Sequence, residues 1–256
     1  MIRIKTKEEI AILREGGARL AFILNELGRA VKPGMSTAEI DEMGQKMIEE
    51  QGDKAAFLNY MPNTAKRPYP ASICVSVNDE VVHGIPNEDP KILKEGDIVS
   101  IDAGLVHKGL ITDSAITVAV GKIDAESQKL LDITKKALNA GTAAAKPGKT
   151  TGDIGFAIQS VIEPHGYGIV EELCGHGVGY EVHEDPFVPN FGIRGRGAKL
   201  KEGMVIAIEP MVNEGTKHIK LDRDGYTYRT KDGKRSAHFE HTIVITDNGA
   251  EVLTRP

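Results

Sequence analysis

Four carboxylates stand at the ends of apolar runs, where an ionised side chain is costly. Asp102 closes Ile98-Val99-Ser100-Ile101, and Asp113 opens onto Ala115-Ile116-Thr117-Val118. A reversal centred on His107 and Lys108 pairs residues whose numbers sum to 215, which sets Asp102 opposite Asp113 with Cβ atoms about 4.5–5.5 Å apart. Two ionised carboxylates so placed repel and are poorly solvated, and a shared proton or a bound cation resolves the conflict. For this pair alone, a solvated hairpin edge with two unrelated aspartates is an equally good reading. The pattern returns with glutamates. Glu209 follows Val205-Ile206-Ala207-Ile208, and Glu240 precedes Thr242-Ile243-Val244-Ile245. Their numbers sum to 449, centring a reversal on the turn dipeptide Asp224-Gly225. The arms are too long, and Pro210 too disruptive, for one plain ladder.

Histidines accompany the acids. His176 lies in Gly175-His176-Gly177-Val178-Gly179, where glycine permits close backbone approach, and His183 lies in Val182-His183-Glu184-Asp185-Pro186. His83 is a sequence echo of His183, and the two are expected to face each other across one cleft. His107, His165, His218, His238 and His241 have no such mates and read as loop or strand-surface residues; His238 shares a strand face with Glu240. Four carboxylates and an imidazole form a hard, oxygen-rich donor set, too negative for one divalent ion and suited to two. Paired ions roughly 3.5–4 Å apart lower the pKa of a bridging water and clamp both oxygens of a hydrolytic step. Such ligands suit manganese, iron(II), cobalt or zinc. Cys74 and Cys174 belong to no CxxC pair, so a zinc–sulfur site is not expected.

The elements that must carry these residues are written twice. Lys32-Pro33-Gly34-Met35-Ser36-Thr37-Ala38-Glu39-Ile40 returns as Lys146-Pro147-Gly148-Lys149-Thr150-Thr151-Gly152-Asp153-Ile154, and the run Leu93 to Asp102 returns as Leu200 to Glu209. Glu80-Val81-Val82-His83 echoes Glu181-Val182-His183, and Asp113-Ser114 echoes Glu240-His241. The order is the same in both halves while the offsets differ, so elements persist and loops vary. We expect one domain over 1–256, with halves of about 1–121 and 122–256 related by a pseudo-two-fold axis. Thr6-x-x-Glu9 and Ser36-x-x-Glu39 are capping boxes that predict two helices. Leu130 to Ala145 and Ile154 to Ile162 predict another two, the last stopped by Pro164 and Gly166. SICVSV, DIVSID, AITVAV, VIAIEPMV and HTIVIT read as strands. The fold class is α+β, with helices over one face of a curved antiparallel sheet.

Composition excludes several classes. The 256 residues carry 32 Lys+Arg against 37 Asp+Glu, a net charge of -5, which argues against a DNA- or RNA-binding surface. No apolar run is long enough to span a membrane, and MIRIKTKEEI lacks the apolar core of a secretory signal. Reduced cysteines in the cytoplasm are expected.

The motifs EVVHGIP, IDAG with Asp113 eleven residues beyond Asp102, GHGVGYEVHEDP, AIEPMV and FEHTIVITDNG together resemble type I methionine aminopeptidases, over essentially the whole chain and in order. The resemblance implies the pita-bread fold and removal of an initiator methionine when the second residue is small, by attack of a metal-bridging hydroxide. It implies two divalent ions, one held by Asp102, Asp113 and Glu240, the other by Asp113, His176, Glu209 and Glu240. It implies that His83 and His183 contact substrate, that Glu209 shuttles the proton, and that Tyr69, Cys74 and Tyr226 line the substrate pocket. Methionyl peptides and nascent chains are then the partners, with transient ribosome contact and a monomeric state expected. The short stretch from His183 to Glu209 leaves no place for the helical insert of type II enzymes. Three departures touch only the side-chain pocket. Val182 and Tyr226 replace an aromatic residue and a tryptophan common in the family, and Asn59 to Arg67 is longer than usual. A prolidase, creatinase or aminopeptidase P relative is the nearest rival. Such enzymes carry an extra N-terminal domain. A non-enzymatic RNA- or ribosome-binding relative would have lost ligands and gained basic tails.

Overall fold

The computed structural model describes residues 1–62 and 65–255. Its helices are α1 (Lys7–Ala30), α2 (Thr37–Glu50), α3 (Ala125–Ala144) and α4 (Thr151–Ile162). The strands of the first half are β1 (Lys54–Ala55), β2 (Cys74–Val77), β3 (Glu80–Val82), β4 (Ile98–His107) and β5 (Leu110–Ala119). Those of the second are β6 (Gly168–Ile169), β7 (Gly175–Gly177), β8 (Glu184–Val188), β9 (Val205–Ile208), β10 (Met211–Asn213), β11 (Ile219–Leu221), β12 (Tyr228–Thr230), β13 (Ser236–His238), β14 (Glu240–Thr246) and β15 (Gly249–Val252). No described helix is long and apolar enough to cross a membrane.

Both capping boxes form as read, with Thr6 and Ser36 accepting from the amides of Glu9 and Glu39. A third, Thr150 with Asp153, starts α4 three residues before the expected Ile154. Asp124 caps α3, whose first residue, Ala125, lies five residues before the expected Leu130. Each such cap is worth about 0.5–2 kcal/mol. The duplication is visible in backbone bonds. Gly34 N donates to Leu93 O and Leu93 N to Met35 O, while Gly148 N donates to Leu200 O and Leu200 N to Lys149 O. Two echoes with different sequence offsets thus join into one bonded unit in each half.

The principal sheet has nine antiparallel strands in the order β1-β4-β5-β14-β9-β7-β8, with β2 on β4 and β15 on β14. Ile101, Ala103 and Leu105 of β4 pack with Leu20, Ile23, Leu24 and Leu27 of α1. Ile206, Ile208, Ile243 and Ile245 pack with Leu130, Leu138, Ile154 and Ile158 of α3 and α4. The helices take these apolar residues on one side, and the alternate residues Ser100, Asp102 and Gly104 point to the other, as the two-residue period of a strand requires.

The register of β4 and β5 differs from the sequence expectation by two. Asp102 pairs with Ala115, and Gly104 with Asp113, so the two aspartates are diagonal neighbours on one face. The tight turn is Lys108-Gly109, with φ of 48° and 84°. A two-residue hairpin loop of this hand needs positive φ at both central positions, and glycine at the second fixes the register there. In the second half the expected sum of 449 holds throughout: Thr242 pairs with Ala207, Met211 with His238 and Ile219 with Thr230. As expected it is not one ladder. The reversal breaks after Glu209-Pro210 and distributes its pairs over three sheets.

Candidate active site

Five neighbouring strands bring one candidate ligand each to a common wall: Asp102 on β4, Asp113 on β5, Glu240 at the start of β14, Glu209 just beyond β9 and His176 on β7. Side chains from the strands themselves fix the acids. Thr242 Oγ1 accepts from Asp113 N at 2.9 Å and donates to Asp113 O at 2.7 Å, and Ser114 Oγ donates to Glu240 O at 2.8 Å. Asp113, His176 and Glu240 each offer an atom within 4.8 Å of the others. Glu209 Oε1 lies 3.3 Å from His176 Nε2. The glycines beside His176 serve close approach: a Cβ on Gly177 would stand 2.2 Å from Asp185 O, and one on Gly175 2.3 Å from Ala207 O.

The wall is short of positive charge. Asp102 Oδ1, Asp113 Oδ1 and Glu240 Oε1 are buried without a hydrogen-bond partner among the described residues. Burial, with Glu209 nearby, raises the Asp102 carboxyl to about 7. Burial alone raises Glu209 to about 8. Burial and then neighbouring acids hold Asp113 and Glu240 well above the carboxylate range. Burial also keeps His176 neutral, its pKa lowered to about 3. Its Nδ1 is 2.9 Å from the Gly177 carbonyl oxygen. Nδ1 therefore carries the proton, and the Nε2 lone pair faces Glu209. A lone pair and a carboxyl oxygen in apposition are reconciled by a shared proton or by a cation between them, and a backbone carbonyl on the far ring nitrogen is the usual support of a metal-bound histidine. This donor set fits divalent metal.

The wall opens into a cleft lined also by Phe57, Tyr60, Pro62, Tyr69, Cys74, His83, Val182, His183 and Tyr226. His83 and His183 thus share the cleft, as expected from their echo. His83 has a left-handed φ of 58°, a strained conformation for a side chain of this size. Burial lowers its pKa to about 3. His183 stands against the His176 ring, centroids 4.4 Å apart. Tyr69 donates to Gly84 O at 2.8 Å and meets the Tyr226 ring edge-on at 5.1 Å. Phe57, Tyr69, Cys74, Val182 and Tyr226 form one apolar cluster. The long stretch from Asn59 lies partly outside the described residues, which omit 63 and 64.

Three histidines contradict the surface expectation. His107 is buried because α1 crosses the hairpin tip, with Gly16 making room; its Nδ1 is 2.7 Å from Asp53 Oδ1. His241 is half-buried against Thr254. His238 is 2% exposed, and its Nε2 lies 3.6 Å from Glu209 Oε2, because β13 carries it to the rear of the acid wall. His165 and His218 are exposed, as read. Sequence reasoning missed Phe57, Tyr60 and Pro62, whose loop has no periodicity to announce them. It missed also the buried pair of Lys5 and Glu184, 2.8 Å apart.

The family pattern of metallopeptidase family M24 matches residues 11–247. The chain belongs to metallopeptidase family M24. As a member it is a hydrolase that works with divalent metal. The M24 relatives include methionine aminopeptidase 1 of Bacillus subtilis (strain 168), 46% identical over 255 residues and 100% of both chains. The crystal structure of a methionine aminopeptidase from Thermotoga maritima matches with a TM-score of 0.95, 42% identity and 100% coverage of both chains. A prolidase from Pyrococcus furiosus matches with a TM-score of 0.76 and 26% identity, but the M24 chain described here spans only 65% of it. The pita-bread fold and the resemblance to methionine aminopeptidases are therefore borne out.

Proposed function

We propose that this M24 peptidase removes the N-terminal methionine of peptides and nascent chains in the cytoplasm when the second residue is small. The observation that carries the reading is the wall of three partnerless acids, Asp102, Asp113 and Glu240, with Glu209 and His176 beside them, opening into an apolar cleft that also holds His83 and His183. The relatives named methionine aminopeptidase support the substrate.

Asp102, Asp113 and Glu240 would hold one ion, and Asp113, His176, Glu209 and Glu240 the other, with manganese, iron(II), cobalt or zinc as candidates. The chemistry such ions supply when bound is activation of water and polarisation of the scissile carbonyl. The chain's own residues do the rest. Phe57, Tyr69, Cys74, Val182 and Tyr226 receive the methionine side chain. A carboxylate oxygen of Glu209 accepts the proton of the attacking water and returns it to the departing amine. His183 donates to the oxygen that becomes negative, and His83 hydrogen-bonds the departing amide nitrogen. The two histidines flank a narrow exit that rejects a bulky second residue by steric clash.

The test is kcat/KM on Met-Ala-Ser, Met-Leu-Ser and Leu-Ala-Ser peptides with each ion added singly to metal-free protein. Met-Ala-Ser should be cleaved best, Met-Leu-Ser hardly at all, and Leu-Ala-Ser weakly. Equal rates on the first two peptides refute the narrow exit. Preference for an X-Pro peptide that lacks methionine would move the protein to the prolidase-like reading.

A further inference from the structure

We infer that Tyr60 is a positioning residue for His183, its hydroxyl fixing the imidazole tautomer that carries the proton on Nε2. The catalytic consequence rests on the reading of His183 as donor to the reacting carbonyl. The Tyr60 hydroxyl lies 2.7 Å from His183 Nδ1, and the two rings stand 5.4 Å apart at 49°. On its other side His183 meets the His176 ring, so the imidazole is wedged between a tyrosine and a histidine of the acid wall. Among the described residues the hydroxyl has no second hydrogen-bond partner.

The direction of this bond follows from the chemistry of its two groups. A phenol is a good donor and a weak acceptor, while the bare nitrogen of a neutral imidazole is a strong acceptor. The bond therefore runs from the hydroxyl to Nδ1. A neutral imidazole has one N–H, so the proton is then on Nε2. That is the form able to donate to a developing oxyanion. Reversal of the bond would leave a lone pair on Nε2, which stabilises no negative charge.

Tyr60 is itself held in place. Its N–H donates to Phe57 O at 2.9 Å, and its carbonyl accepts from Tyr69 N at 2.8 Å. Phe57 and Tyr69 both belong to the apolar pocket cluster. The segment that shapes the side-chain pocket thus also sets the state of the oxyanion donor, and displacement of one disturbs the other.

Tyr60→Phe removes only the hydroxyl. With an unchanged melting temperature, it should lower kcat about ten-fold, the scale of one net hydrogen bond, and leave KM for Met-Ala-Ser nearly unaltered. His183→Ala should keep full metal content and lose about 10²–10³-fold in kcat. In a His183→Ala background the Tyr60→Phe change should cost nothing further. The readout independent of activity is the ¹⁵N chemical shifts of the His183 ring in zinc-loaded protein. Wild type should show an unprotonated Nδ1 and a protonated Nε2, and Tyr60→Phe should move both toward the average of the two tautomers. Wild-type kcat with unmoved shifts in Tyr60→Phe overturns the proposal, as does a protonated Nδ1 in the wild type. Full activity in His183→Ala sinks the catalytic consequence and the reading beneath it, while the shifts still decide whether Tyr60 holds the tautomer.

Discussion

Removal of metal should make stability fall as pH rises. In the metal-free protein Asp102 titrates at about 7 and Glu209 at about 8, against ordinary values of 3.8 and 4.5. A carboxyl whose folded pKa is raised gives full stability below its unfolded value and loses it as pH climbs through the folded one. At about 1.4 kcal/mol per pH unit, the step from pH 6.5 to 8.5 costs about 1 kcal/mol through Asp102 and about 2 kcal/mol through Glu209. Asp113 and Glu240, held still higher, act in the same direction. The buried histidines oppose this only weakly: with folded values of about 3 for His83 and His176 and about 4 for His241, each regains about 0.4 kcal/mol across the window as the unfolded imidazole, half protonated at 6.5, loses its proton, and the higher-lying Asp113 and Glu240 outweigh that. For a chain of this length about 3 kcal/mol corresponds to a fall in Tm of about 6–12 °C. Metal binding releases the protons that these carboxyls hold, so the loaded enzyme should show no such fall. Thermal melts after exhaustive chelation, beside melts in saturating manganese, read the difference directly. A metal-free Tm that stays level or rises across this window would show that the acids do not share a desolvated wall.

Asp113→Asn and Glu240→Gln should each lose bound metal and nearly all activity; metal analysis showing wild-type stoichiometry in an active variant refutes the ligand set. Lys5→Met should cost about 1–3 kcal/mol, because Glu184 loses its lysine but keeps Arg3 Nε at 3.2 Å and the amides of Tyr180 and Glu181; the cost is read as a lower denaturant midpoint, and Glu184→Gln in the same chain should restore part of it. Gly17→Ala should destabilise by about 1–3 kcal/mol despite alanine's helix preference, because its Cβ would stand 2.4 Å from the Leu253 carbonyl oxygen; an unchanged melt would mean that α1 does not press on the C-terminal strand.

Local physics accounts for what the sequence disclosed. Thr6, Ser36 and their glutamates bond within one helical turn, so two helix starts could be read from four residues each. The repeat disclosed the sheet's carriers because Leu93 and Leu200 make the same backbone bonds in each half. The first hairpin lies two residues from the register that opposed aspartates would give, because Gly109, not His107, tolerates the turn. Turn chemistry outranks side-chain symmetry there, and the acids still share a face because a shift of two preserves the pleat. The burial of His107 and His238 was illegible. It depends on where α1 and β13 dock, and no local pattern encodes that. Tyr60 was illegible for the same reason, since its partner is far away in the sequence and its loop has no period.

The positions expected to depart from the family pattern meet at one apolar cluster, which holds Val182 and Tyr226 with Tyr60 and Ala65 packed against it. Val182, smaller than an aromatic residue, shares that cluster with Phe57 and Tyr226. The Phe57 ring lies over Gly104, where any Cβ would stand 2.7 Å from Cε1. Gly104 in turn pairs with Asp113 in the ladder. The ring therefore reaches the strand position beside the acid wall only because that position has no side chain. Tyr226 donates its hydroxyl to Arg67 O, and Arg67 pairs with Glu88. A hydroxyl at that position ties the far end of the long stretch to the pocket wall, while Tyr60 near its start bonds His183. Val182 and Phe57 pack in the same cluster, and the hydroxyls of two tyrosines tie both ends of the Asn59 to Arg67 stretch to the cleft, Tyr226 through Arg67 and Tyr60 through His183.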